Sequence, residues 1–243
     1  MDRLRALLLV LPPTAVVGFH TAAQLYGFGV LPSDRLHVVV PAGTPVPDYR
    51  GVAAHQSVLP FDDPVDIAGV PCLPPERCAI DIARTCRRLD SLAVVDAALR
   101  AERVSEESLA VEVRRHDGLR GVRQARDVVP LADPRAECLQ ESQLRLIMTD
   151  GGLPRPELQV WIVDDWGIPR YRSDLGYPAF RIGGEYDGVS HLDRQRMRQD
   201  RERQNWLSAH GWTMRYFTDI DIYRRPHYVV SAMREALRRA GAA

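Results

Sequence analysis

The chain has 243 residues, 45% hydrophobic and 26% charged, with 32 basic side chains balancing 32 acidic ones. That length buries a core without disulfide staples, and the zero net charge supplies no global field to draw the protein onto a polyanion. All 32 basic side chains are arginine, which excludes lysine as catalytic base, Schiff-base former or phosphate clamp.

Met1 to Pro13 sets Arg3 and Arg5 before the apolar run Ala6 to Leu11. The run is short, ends in Pro12-Pro13 and lacks a small-x-small cleavage site, so it reads as a proline-capped helix rather than a leader. No stretch reaches the ~18 apolar residues of a membrane span. Cys72, Cys78, Cys86 and Cys138 form no C-x-x-C pair and no zinc-finger spacing, which fits a reducing, cytoplasmic setting. Residues 14–28 read as an amphipathic helix stopped by Gly27 and Gly29. Leu36 to Val40, closed by Pro41, is a strand, 43–51 is a proline-rich loop, and Val52 to Leu59 and Ile67 to Cys72 are two further strands. Pro74 and Pro75 open a helix reaching Arg88. Helices follow over 91–100, from the cap Ser105 onward, and over 121–129.

Residues 130–134 read as a joint, which divides the chain into domains 1–130 and 131–243. Beyond it come a helix over 135–149, strands over 158–163, 168–175 and 179–186, a charged helix over 191–210, a strand over 212–217 and a closing helix over 226–240. The expected fold class is α/β, with a mixed sheet flanked by helices in the C-terminal half and a mixed α/β domain before it.

Four acidic residues fall at informative places. Glu141 lies in the helix before the second sheet, Asp174 near the end of a strand, and Glu185 and Asp187 at the end of the next. Alternation puts Glu185 and Asp187 on one face and Tyr186 on the other. Clustered carboxylates repel unless compensated. A bound Mg²⁺ or Mn²⁺ relieves the repulsion with hard oxygen ligands and can activate water for phosphodiester hydrolysis. Solvated strand ends, or pairing with Arg172 and Arg181, are the plainer reading of the same residues. Arg194, Arg198 and Arg201 share one helical face, either a phosphate-facing stripe or a salt-bridged solvent face. Arg215, on a strand, is a partner for Asp200 or Glu185. His20 and His37 read as structural.

The motifs Asp174-Leu175-Gly176-Tyr177-Pro178, Glu185-Tyr186-Asp187-Gly188, His191, Asp200-Arg201-Glu202-Arg203, Leu207, Gly211-Trp212 and Arg215 resemble the very-short-patch-repair-like endonuclease family of the PD-(D/E)xK superfamily. Upstream, Glu141-Ser142-Gln143-Leu144-Arg145 and Gly152-Leu153-Pro154-Arg155-Pro156 resemble that family's helical and turn elements. The resemblance covers about 100 residues and implies a restriction-endonuclease-like fold. It implies Asp174 and Glu185 as metal holders and Glu141 as the helix's contribution to the acidic cluster. Asp187 stands in the lysine position, to ligate metal or orient water. His191 would move a proton or contact the scissile phosphate, and Arg194, Arg198, Arg201 and Arg215 would contact nucleic acid. Gly183 and Gly184 depart from the apolar residues usual there, and the expectation is a loosened strand with room for a bulge.

In the first half, Gly18-Phe19-His20-Thr21-Ala22-Ala23-Gln24-Leu25-Tyr26-Gly27, Leu36-His37-Val38-Val39-Val40-Pro41 and Gly69-Val70-Pro71 with Pro75-Glu76-Arg77-Cys78-Ala79-Ile80-Asp81 resemble the domain of AbiEi-type antitoxins. Members often start with a winged helix-turn-helix. This sequence starts after the place for one, so that part is expected to be missing or supplied elsewhere. The two resemblances together imply a Mg²⁺- or Mn²⁺-dependent endonuclease with nucleic acid, DNA by default, as partner, homodimerisation left open and no membrane. The alternative is a non-catalytic nucleic-acid-binding regulator or antitoxin of a toxin–antitoxin type system.

Overall fold

A computed structural model describes residues 1–61, 63–188 and 194–242, with the side chains of 194–197 left out. The chain divides into two compact units, Met1–Pro134 and Arg135–Ala243.

The first unit opens with helix α1 (Asp2–Val10). Its sheet has five strands, β1 (Val16–Val17), β2 (Leu36–Pro41), β3 (Val52–Ser57), β4 (Val65–Asp66) and β5 (Pro71–Cys72), in the order β3-β2-β1-β5-β4. The sheet is mixed, since β1 runs antiparallel to β2 but parallel to β5, and β2 runs parallel to β3. Two expectations shift here. Residues 14–28 split into strand β1 and helix α2 (Phe19–Tyr26), because Val16 and Val17 pair with Val39 and Val38 at the sheet centre. The single strand expected over 67–72 is a hairpin of β4 and β5, turned through Ala68 and Gly69 at positive φ. Gly27, at φ +88, ends α2 as a left-handed cap, a conformation glycine adopts without a Cβ penalty.

Helix α3 (Pro75–Thr85) buries seven successive residues, Arg77 to Ala83. A buried arginine and aspartate need partners. Arg77 Nε donates to Asp81 Oδ2 at 2.6 Å, and Arg84 Nη2 donates to Asp81 Oδ1 at 2.7 Å. Helices α4 (Arg88–Arg100), α5 (Glu106–Arg115) and α6 (Val122–Val128) follow. Ser105 caps α5 by accepting from Ser108 N at 3.1 Å, and Ser108 Oγ accepts from Ser105 N at 2.9 Å. The four cysteines are free thiols.

The second unit runs α7 (Leu139–Asp150), β6 (Glu157–Val163), β7 (Pro169–Tyr177), β8 (Ile182–Tyr186), α8 (Arg194–Ala209), β9 (Thr213–Phe217), α9 (Asp219–Tyr223) and α10 (Pro226–Arg239). The sheet order is β6-β7-β8-β9. The first three strands are antiparallel neighbours, whereas β9 lies parallel to β8. A parallel neighbour needs a crossover, and α8 supplies it. Leu158, Val160 and Ile162 alternate inward on β6 and are buried, as are Leu175, Phe217 and most of α7, and Leu158 pairs with Leu175 across the sheet. Strand β8 is shorter than expected, because Pro178–Phe180 form a 3₁₀ turn ending at Arg181 with φ +50.

The expectation of a loosened, bulged β8 is corrected. Pairing runs without a break from Ile182 to Tyr186 against β9, and the irregularity of this sheet lies at Ile162/Val163 instead. The glycines are there because neighbours crowd them. A Cβ on Gly183 would lie 2.6 Å from Met214 Cε, and one on Gly184 would lie 2.8 Å from Leu175 Cδ1.

Candidate acidic site

The antiparallel register pairs Leu175 with Gly184, which brings the preceding Asp174 beside the following Glu185 on one sheet face. On the other flank, Leu158 pairs with Leu175 and Val160 with Ser173, so Gln159 comes abreast of Asp174. Gln159 has φ +53, which is costly for a non-glycine residue. Its side chain reaches α7, where Nε2 donates to Glu141 Oε2 at 2.9 Å. The same Glu141 oxygen accepts from Glu137 N at 2.8 Å. Asp174 Oδ2 accepts from Tyr186 N at 2.9 Å. Three of the four expected carboxylates, Glu141, Asp174 and Glu185, are therefore gathered from one helix and two adjacent strands.

Charge in this cluster is poorly balanced. The guanidinium in direct contact is that of Arg203 on α8, which bonds Glu185 Oε1 through Nη2 and also donates to the Arg172 carbonyl at 2.9 Å. Arg172 is committed to Glu137, at 2.8 Å. Burial raises the Glu141 carboxyl, and neighbouring Asp174 raises it further. Burial likewise raises Asp174, against the pull of Tyr186 N–H and Arg203. Glu185 is pushed up to about 7, first by burial and then by Asp174 and Asp187, although Arg203 opposes the shift. An arrangement short of positive charge has two outlets near neutral pH, which are uptake of a proton or binding of a cation.

Among the described residues, two buried polar atoms stand without a hydrogen-bond partner here, Gln159 Oε1 and Arg203 Nε. The first is a hard carbonyl oxygen beside three carboxylates, a donor set that suits Mg²⁺ or Mn²⁺. Against that, among the described residues no three His, Cys, Asp or Glu side chains are already set as a metal-ligand group, and one oxygen of Glu185 is occupied by Arg203.

The other expected residues are scattered more widely. Asp187 follows the end of β8, exposed, with its N–H on the Phe217 carbonyl at 2.7 Å. His191 lies outside the described residues, and so does the side chain of Arg194. Arg198 and Arg201 are exposed on α8 and form no ion pair among the described residues. Arg215 is corrected. It makes no bond to Asp200 or Glu185 but donates to the Met214 carbonyl at 3.1 Å, because the register sets Tyr216 beside Glu185 and alternation turns Arg215 to the opposite sheet face. Gln159 and Arg203 are the site residues the sequence reading missed. Arg203 stood in the quoted D-x-x-R motif, but only the fold puts α8 against β8.

In the first unit His20, His37 and His55 gather from α2, β2 and β3. Burial lowers all three, and His37 is taken to about 4 by burial and then by the other two rings.

Residues 15–131 match the family described as AbiEi antitoxin C-terminal domain. The chain is 34% identical over 241 residues, 99% of its own length and 88% of theirs, to two proteins of Mycobacterium tuberculosis. They are called uncharacterized protein MT2308 in strain CDC 1551 and uncharacterized protein Rv2248 in strain H37Rv. No solved structure matches. Among the described residues no helix is long and apolar enough to cross a membrane.

Proposed function

We propose a regulatory role for this chain, which belongs to one family with the mycobacterial proteins and carries an AbiEi antitoxin C-terminal domain over residues 15–131. It acts as a nucleic-acid-binding regulator of toxin–antitoxin type. The observation that carries this reading is the antitoxin domain match, which takes up most of the first unit. Two features of the second unit support it. Arg198 and Arg201 form no ion pair among the described residues, which leaves them to phosphates, and Arg203 holds Glu185 in an ion pair rather than leaving it open to a metal.

Binding of this kind releases counterions, with a slope of about 0.9 in log K per phosphate neutralised. The test is fluorescence anisotropy of duplex DNA across a salt series, with EDTA and again with Mg²⁺. The reading expects binding of equal strength in both. Arg198→Ala with Arg201→Ala is expected to reduce the salt slope by about two. Binding that appears only with the metal, or that ignores the double substitution, contradicts it.

A second reading is favoured by one observation, the gathering of Glu141, Asp174, Glu185 and the unpartnered Gln159 Oε1. On it the protein is a Mg²⁺- or Mn²⁺-dependent endonuclease acting on DNA. Asp174, Glu185 and Asp187 would hold the ion, which when bound would supply Lewis acidity toward a phosphate and an activated water. Gln159 would orient Glu141, and Arg203 would have to release Glu185 or share it. His191 would be the candidate for proton transfer. Cleavage abolished by Asp174→Ala and by Glu185→Ala would transfer the assignment to this reading.

A further inference from the structure

Three of the first unit's four imidazoles gather in one place, and the proposed regulatory role uses none of them. His20 comes from the first turn of α2, His37 from β2 and His55 from β3. Strands β2 and β3 are parallel, with His37 paired to Ala53 and His55 paired to Val39, so the two histidines sit two residues apart along neighbouring strands and share a sheet face. His37 Nδ1 and His55 Nε2 are 2.9 Å apart. The His20 ring stands edge-on to His37 with centroids 4.8 Å apart, and its nitrogens bond no other side chain among the described residues. Phe19 stacks on His55 at 3.8 Å and has φ +48, so a strained backbone position closes one side of the cluster.

We propose that His37 Nδ1, His55 Nε2 and the ring of His20 form a seat for a borderline divalent transition cation, of which Zn²⁺ is the type. Three things carry the inference. The first is donor class, because neutral imidazole is a preferred ligand of such ions. The second is spacing. Two nitrogens at 2.0–2.1 Å from a tetrahedral ion stand about 3.3 Å apart, so the 2.9 Å pair has to open by a few tenths of an ångström and its rings have to turn so that both lone pairs converge on the ion instead of facing each other. The third is the outer partner. Ser33 Oγ lies 2.9 Å from His37 Nε2 and 3.2 Å from the Arg35 carbonyl. With its hydroxyl proton on that carbonyl, Ser33 accepts from His37 Nε2–H, which leaves the Nδ1 lone pair facing His55. An outer hydrogen bond of this kind fixes the tautomer and orientation of a ligating histidine.

The described residues contain no three ligands already in place, so binding requires two adjustments beyond the opening of the pair. His20 turns about its side chain to bring a nitrogen to the ion. The proton between the two rings moves from His55 Nε2 to Nδ1, a tautomer change with no net proton release. Asp34, Arg35, Asp81 and Arg84 are the charged groups acting on the cluster, two of each sign.

The experiment titrates the full chain with Zn²⁺ by calorimetry and with Co²⁺ by visible absorption. One ion per chain and intense tetrahedral Co²⁺ bands are expected. His37→Gln and His55→Gln should each weaken binding by more than tenfold, and Ser33→Ala by roughly tenfold. Asp174→Asn should change neither, which separates this seat from the acidic site and from the regulatory role. Because a substitution on β2 or β3 can disturb folding, His20→Gln on the helix gives an independent check. It is expected to replace the tetrahedral bands with weaker ones of higher coordination. Absence of binding with excess Zn²⁺, or binding indifferent to His37→Gln, His55→Gln and His20→Gln alike, overturns the proposal.

Discussion

Replacing Glu185 with glutamine tests the electrostatics of the acidic site without changing its shape. The glutamate side chain is 11% exposed and its ion-pair partner Arg203 is 27% exposed. Even with that cation beside it, the carboxyl is raised from 4.5 to about 7. The sign follows from linkage. The folded state binds more protons than the unfolded chain between these values, so the stability Glu185 contributes is full below pH 4.5 and is lost as pH rises through 7. At 1.36 kcal/mol per unit, ionisation costs the fold about 3 kcal/mol by pH 8. Glutamine mimics the protonated acid and does not ionise. Glu185→Gln is therefore expected to stabilise the protein at pH 8 by up to about 3 kcal/mol and to leave it unchanged near pH 4.5. The assay is urea unfolding from pH 4.5 to 8.5 for both proteins, read as the difference between the two curves. The difference is needed because lowered histidines act in the opposite direction. His37 contributes stability above pH 6.5 that is lost as pH falls through about 4. A flat difference curve, or a variant less stable than the wild type at pH 8, would refute the reasoning.

Other substitutions probe the same architecture. Arg203→Met keeps the stem but removes the charge, and should destabilise by about 1–3 kcal/mol at pH 8 and by much less at pH 5, where Glu185 is protonated; thermal melts at the two pH values check this. A Cβ on Gly176 would strike the Ile182 carbonyl oxygen, whereas one on Gly183 meets the flexible end of Met214. Gly176→Ala is therefore expected to cost about 2–3 kcal/mol and Gly183→Ala less, as measured by denaturant unfolding. Ser105→Ala removes the cap of α5 and should lower stability by about 1 kcal/mol in the same measurement.

Much of the fold could be read from the sequence, because period and punctuation are local properties. Leu158, Val160 and Ile162 alternate with polar residues, and Asp164-Asp165-Trp166-Gly167 marks the turn, so the hairpin of β6 and β7 was visible. Ser105 announced α5, and Gly27 the end of α2. The sequence reading failed where tertiary contact outweighs local preference. Val16 and Val17 look like the start of an amphipathic helix until β2 and β5 take them as a central strand. Gly183 and Gly184 looked like weakness and turned out to be sites of close approach to Met214 and Leu175. The helix α9 was missed although Thr218 and Asp221 form its capping box. At the acidic site the carboxylates were legible as residue types at strand ends. Their compensation was not, because Arg203 and Gln159 reach them through a crossover helix and through a left-handed residue inside a strand. His55 carries no signal in the sequence for a related reason, since its link to His37 exists only once β2 and β3 lie side by side.

The proposed function has this chain bind nucleic acid without cutting it. Supercoiled plasmid incubated with the wild-type protein in Mn²⁺, beside Asp174→Asn, tests that claim most directly. The account predicts a retarded but covalently intact plasmid with either protein. Nicked or linear product made by the wild type and absent with Asp174→Asn would contradict it and make the protein an endonuclease.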